Sequence, residues 1–219
     1  MRSFDPGGII EEVKYSYYTQ SSGLHPSRGQ TVPDMQRGQA YSWIKAPRYQ
    51  KHVMEVGPLA RILLAYHKGE NQDVKRLVDD LLKRLNRGPE VLLSTMGRHA
   101  ARAIECKVLA DRCGAWLDQL NPEEPAFQDF QIPDTGSGAG LTEAPRGALG
   151  HWIEIQNGRI ENYQCVVPTT WNCSPRDDKG NAGAVEQALE GISIADVKNP
   201  IEAARVARSF DPCLACAVH

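Results

Sequence analysis

The sequence predicts an α+β chain: a predominantly helical bundle with a β-hairpin and long irregular segments. Three observations carry that expectation. Apolar residues recur at helical spacing in three runs between Gly57 and Leu120. Two alternating runs flank Asn157-Gly158. Most of the rest is dense in Gly, Pro, Ser and other polar residues. With 219 residues, 41% hydrophobic and 24% charged, the chain suits one globular domain and is long enough to bury a core.

Residues 1–55 read as an extended region with little regular structure. A loop this long is unusual inside a self-sufficient domain, so it is expected to lie across another part of a larger fold or a partner. Residues 56–122 read as the helical bundle. The first helix opens at Gly57-Pro58, carries Leu59, Ile62, Leu63 and Tyr66 on one face, and ends at Gly69. Asn71 or Asp73 caps the second, whose stripe is Val74, Leu77, Val78, Leu81, Leu82 and Leu85, and Gly88-Pro89 stops it. The third and longest runs from about Glu90 to Leu120, with Ala103, Cys106, Leu109 or Ala110, Cys113, Leu117 and Leu120 on one face. Cys106 and Cys113 are expected to be core residues of that bundle.

Residues 123–219 hold the hairpin and a metal-binding C-terminus. Residues 121–147 are rich in Pro and Gly and read as loop. His151–Ile155 and Arg159–Tyr163 alternate about the favoured turn dipeptide Asn157-Gly158. A last helix is expected from Asn199 to Arg208.

Several function classes lack support. The net charge of −2 gives no basic excess for nucleic acid. No apolar run is long enough for a membrane span. The N-terminal residues show no apolar signal core, although export beside a signal-bearing partner stays open.

The six cysteines include one close pair, Cys213 and Cys216, followed by His219. A two-residue gap lets both sulfurs converge on one ion, and thiolates select soft or borderline metals. Three readings stay open on spacing alone: a metal site, a redox dithiol, or two reduced cysteines near a terminus. A closed zinc site needs four ligands, so a metal site here is incomplete unless distant residues or another polypeptide contribute.

The ending DPCLACAVH resembles the DPCxxCxxH ending of nickel–iron hydrogenase large subunits. EEVKYSYY, YSWIKAPRY, MEVGPLARILLAY, STMGRHAARAIE, TEAPRGALGHW and ENYQCVVPTTWN resemble further blocks of that family, in the family's order. The resemblance covers nearly the whole chain. It implies a nickel–iron centre bearing CO and cyanide, with Cys213 as terminal nickel ligand and Cys216 bridging the two metals. It implies reversible heterolytic cleavage of H2, with either Cys213 or Arg146 as base and Asp211 fixing Arg146. Pro145, Val167 and Pro168 match apolar positions around the diatomic ligands, and Thr169 matches a hydroxyl donor to cyanide. His219 and the backbone carbonyl of Cys165 match magnesium ligands. His99 and His151 are expected to pack or join polar networks.

The family's other two thiolates come from an N-terminal RxCGxC motif that is not in this sequence. A polypeptide or segment carrying that pair is therefore an expected partner, as is an iron–sulfur small subunit to accept electrons. The ending at His219 matches the family's processed form. The resemblance further implies a periplasmic or partner-mediated membrane location, with cytoplasm open. The rival reading is a non-catalytic metal-binding or assembly module derived from the family.

Overall fold

A computed structural model describes residues 4–217. They form two units, one built from the chain up to Gly57 and from Asp134 onward, the other Pro58–Pro133. The first and third sequence regions thus fold together, and the bundle is inserted between them.

The inserted unit contains α1 (Pro58–Lys68), α2 (Gln72–Leu85) and α3 (Thr95–Leu117). Each boundary has a local cause. Gly69 follows α1 at φ 66°, a conformation glycine adopts freely. The Asn71 side chain accepts from the Val74 N–H at 3.1 Å and caps α2. Asn86 closes α2 in the left-handed region at φ 50°. Ser94 accepts from the Gly97 N–H at 3.0 Å and caps α3. Leu59, Ile62, Val74, Val78, Leu82, Leu92 and Ala101 form the buried core. Arg61 grips Glu105 with two bonds of 2.6 and 2.8 Å, tying α1 to α3.

The expectation for Cys106 and Cys113 is overturned: both are exposed. The stripe they belong to exists, but it does not face this bundle's core. α3 packs inward on its opposite side, through Gly97, Ala101, Ile104 and Val108. The far half still meets α2, where Arg112 donates to Asp73 at 3.1 Å, but the side that carries Cys106 and Cys113 points away from that contact.

The other unit carries two antiparallel sheets. β1 (Ile9–Glu12) pairs with β2 (Ala46–Tyr49) inside the region read as irregular. β3 (Gly136–Ala144), β4 (Gly147–Gln156) and β5 (Arg159–Val166) form a three-stranded meander. The expected hairpin is β4–β5, with Asn157 and Gly158 at φ 53° and 68°, the mirror-image turn that the dipeptide favours. β3 is a correction, since it falls in residues read as loop. Its sequence, GSGAGLTEA, has almost no β-branched residue, and its pairing with β4 supplies what propensity does not.

Ile9, Trp152, Val166 and Trp171 make the apolar centre of this unit. A second cluster, Ala184, Val206 and Phe210, packs α5 (Ala184–Leu189) on α6 (Ile201–Ser209). α6 is the expected last helix, shifted by two residues at its start. Two short helices were not foreseen besides α5: α4 (Pro168–Asn172) and α7 (Leu214–Ala217).

Candidate metal centre

The cysteine pair is presented by a short chain of local causes. Phe210 is buried at the end of α6 and anchors the chain there. Asp211 then turns the backbone at φ 54°, a conformation that Asp tolerates better than most side chains. Pro212 follows, Cys213 precedes α7, and Cys216 lies within it. The Cys216 N–H donates to the Cys213 carbonyl at 3.2 Å, closing one turn between the two residues.

α4 holds this turn from beneath. The Cys213 N–H donates to the Thr169 hydroxyl at 3.2 Å. The Thr170 hydroxyl donates to the Cys216 carbonyl at 3.4 Å. Both threonines are buried. Thr169 accepts through its oxygen here, so its own hydroxyl proton is still available to a further acceptor. Pro168 starts α4, where its missing N–H costs nothing.

As free thiols, the two cysteines differ. The side chain and backbone N–H of Cys216 bond to the Cys213 sulfur and lower its pKa, and the Arg146 charge adds to this. Burial, followed by that same thiol pairing, raises Cys216. Cys213 is therefore the more ready anion of the pair.

Arg146 reaches the cysteine turn from the β3–β4 hairpin, whose two-residue turn is Pro145-Arg146. Its Nε donates to the Asp211 carbonyl at 3.0 Å and lies 3.0 Å from an Asp211 carboxylate oxygen. The turn is fixed from behind. A Cβ on Gly57 (φ 116°) would lie 2.6 Å from the Arg146 carbonyl oxygen, so only glycine fits. Val56 is held in turn by the Asn172 amide through two bonds of 2.9 Å. Asn172 thus steadies both the end of α4 and the segment behind Arg146, a role with no periodic or spacing signal in the sequence.

Cys213, Cys216, Arg146, Asp211, Thr169 and Pro168 are thus brought together. Val167 is the residue immediately before α4, and Pro145 is exposed on the hairpin turn. His219 lies outside the described residues. Cys165 lines a neighbouring cavity of about 350 Å³ with Ala217, Thr170, Glu11, Lys45 and Gln164. Its sulfur contacts His151 Nδ1 at 3.3 Å, and that nitrogen also meets the Tyr163 hydroxyl at 2.6 Å. His151 therefore sits in a polar network, as expected.

Glu11, Lys45 and Gln164 were missed by the sequence reading. Lys45 Nζ lies 3.5 Å from Glu11 Oε2 and donates to Gln164 Oε1 at 3.2 Å. Burial raises the Glu11 carboxyl and lowers the Lys45 ammonium, against their mutual attraction. Glu11 Oε2 has no hydrogen-bond partner among the described residues. The only signal was an acidic residue on a buried strand position, which alternation alone does not separate from a solvated edge.

No group of three or more His, Cys, Asp or Glu side chains arranged for a metal occurs among the described residues. Two convergent thiols fit half of a soft four-sulfur site. A buried carboxylate oxygen and main-chain carbonyls are donors of the kind a hard cation takes.

The sequence model of one family, nickel-dependent hydrogenase, matches residues 1–219. The uptake hydrogenase large subunit of Rhodobacter capsulatus is 42% identical, over 98% of this chain and 41% of that protein. The periplasmic [NiFeSe] hydrogenase large subunit of Desulfomicrobium baculatum is 42% identical, over 99% of this chain and 43% of that protein. The Ni-Fe-Se hydrogenase of D. vulgaris Hildenborough in its reduced state superposes with a TM-score of 0.89 at 41% identity, covering 100% of this chain and 46% of that one. The chain spans about two fifths of the length of the curated relatives it matches. On the match along its whole length and the shared fold, the chain belongs to the nickel-dependent hydrogenase family.

Proposed function

We propose that this chain supplies two of the four cysteine ligands of a nickel–iron centre that cleaves H2 reversibly and heterolytically. The observation that carries the reading is the grouping of Cys213 and Cys216 on one turn with Arg146 held over it by Asp211. A polypeptide or segment bearing a second cysteine pair completes the set, and an iron–sulfur small subunit takes the electrons. One relative's name is that of a periplasmic enzyme, which fits a periplasmic site here; a membrane site reached through a partner is the alternative, since no described helix is long and apolar enough to cross a membrane.

When bound, the nickel–iron group with its CO and cyanide ligands polarises dihydrogen as a Lewis acid. The chain's own residues do the rest. Cys213 and Cys216 hold the metals through sulfur. The Cys213 sulfur would take the proton, because a metal-held thiolate keeps lone pairs that can accept one, whereas a guanidinium must first give up its own proton at high cost. Arg146 stabilises developing negative charge, and Asp211 holds it in place. Pro145, Val167 and Pro168 give an apolar wall, and the Thr169 hydroxyl donates to a cyanide. Magnesium, held by His219 and the Cys165 carbonyl, suits the cavity that Glu11 also lines.

The test is metal content and infrared absorption of the protein purified with its partners. Nickel, iron in excess of it because the small subunit's clusters add their own, and CO and cyanide stretching bands are expected, and Cys213→Ala should abolish H2 oxidation. Zinc or nickel without those bands would instead make the chain a non-catalytic metal-binding module.

A further inference from the structure

α3 carries two apolar stripes on opposite sides. The inward stripe is Gly97, Ala101, Ile104 and Val108, against α1 and α2. The outward stripe is Cys106, Leu109, Cys113 and Trp116, spaced three, four and three residues apart. At 3.6 residues per turn its centre lies roughly 140° around the axis from the inward stripe. Leu117 and Leu120 extend it, the latter in a turn closed by its N–H to the Leu117 carbonyl. Relative exposure is 47% for Leu109, 49% for Trp116, 67% for Leu117 and 69% for Leu120. Phe127, Phe130 and Ile132 follow in the chain, also exposed.

A helix apolar on both sides belongs inside a larger fold rather than at the surface of a small bundle. Alternating three- and four-residue spacing is the pattern that receives another helix's side chains. On this face Leu109, Trp116, Leu117 and Leu120 together leave on the order of 450 Å² uncovered, more than half of what one partner gives to a stable interface. More than half the length of the matched relatives has no counterpart in this chain.

We infer that the outward face of α3, from Cys106 to Leu120, docks an amphipathic helix of the polypeptide or segment that brings the second cysteine pair. This rests on the reading that the metal centre is completed from outside the chain. The surface is also well separated in sequence from the metal ligands, so docking and metal loading can be read independently.

Cys106 and Cys113 report on the surface directly. Maleimide labelling resolved by peptide mapping is compared for the chain alone and mixed with the polypeptide of the same source that carries RxCGxC. Both thiols should label freely in the chain alone and at least ten-fold more slowly in the complex. Trp116→Glu combined with Leu120→Glu should weaken the complex at least 100-fold while leaving helical circular dichroism unchanged. A complex in which both thiols still label freely, an unaffected double variant, or no complex at all overturns the docking surface. Protection that rises with concentration of the chain alone also overturns it, since the occupant is then a second copy. A complex with protected thiols but no nickel leaves the surface standing and removes the proposed function instead.

Discussion

Between Pro58 and Pro133 the chain holds itself with apolar side chains from sequence neighbours, whereas around the cysteine pair it relies on polar side chains from far away. In the helical unit, Leu59 and Ile62 meet Val74, Val78 and Leu82 across a connection of three residues. In the other unit, fully buried Arg48 meets Asp177 at 3.3 Å and Ser174 at 3.0 Å, and Lys45 reaches Gln164 at 3.2 Å. Such contacts span more than a hundred residues. The difference teaches where each unit is vulnerable. An apolar core loses stability in proportion to the volume removed. A buried charge loses it all at once when its partner goes.

The largest effect expected from this contrast is at Arg48. Arg48→Ala leaves Asp177 buried without its cation and should cost about 3–5 kcal/mol in the site unit. Hydrogen exchange should speed up across β1, β2 and the residues around Asp177, with the amides of α1 and α2 unchanged. Equal loss in both units would break the comparison. The pair also sets a pH limit. Burial works against the Asp177 charge, but bonds from Asn181 and Arg48 outweigh it and hold the carboxyl below its ordinary range. The contribution is therefore intact above about pH 4 and is lost as the pH falls through the depressed value.

Next comes the helical unit. Leu92 is 1% exposed, and Leu92→Ala should cost about 2–4 kcal/mol, read as a lower urea midpoint for helical circular dichroism. Exchange around Thr169 and Cys213 should stay as it is. If it changes as much as in the helices, the two units do not fail separately.

The same contrast explains what was legible in the sequence. α1, its stop, α2 and the β4–β5 turn were readable because their causes lie within a few residues: periodicity, the Asn71 cap, Gly69, Asn157-Gly158; the stop of α2 is Asn86 rather than Gly88-Pro89. The outward stripe of α3 was readable as a stripe, but its direction was not, since periodicity finds a face without saying what meets it. β3 escaped because its glycines carry no strand propensity and its partner decides its conformation. At the candidate metal centre, the cysteine pair was visible from spacing, and Arg146 and Asp211 only through resemblance. Asn172, Gly57 and Thr170 were invisible because they act through backbone atoms of residues distant in sequence.

A smaller effect sharpens the link between that distant support and chemistry. Gly57→Ala places a methyl 2.6 Å from the Arg146 carbonyl oxygen at a φ of 116°, so the hairpin turn must move. The stability cost should be about 1–2 kcal/mol. Nickel content of the assembled protein should hold while H2 oxidation falls at least ten-fold. Activity at the parental level would show that Arg146 tolerates displacement.

The smallest effect concerns Cys173, just past α4, whose N–H donates to the Thr169 carbonyl at 2.8 Å. Burial pushes its thiol up to about 11. At pH 8 such a thiol is only about one part in a thousand thiolate, the form that reacts. Iodoacetamide should therefore modify Cys173 roughly a hundred-fold more slowly than exposed Cys106 in the same chain. The raised value also fixes a sign. The folded state keeps the proton where the unfolded chain has released it, so this contribution is intact below about pH 9 and is lost as pH rises toward about 11. Cys173→Ser removes the titrating group, and its site unit should lose less stability than the parent across that interval. An identical alkaline loss in both proteins would mean that other groups govern the decline. Rapid alkylation at pH 8 would mean that the site unit opens readily beneath the cysteine turn, against the tight polar support attributed to it.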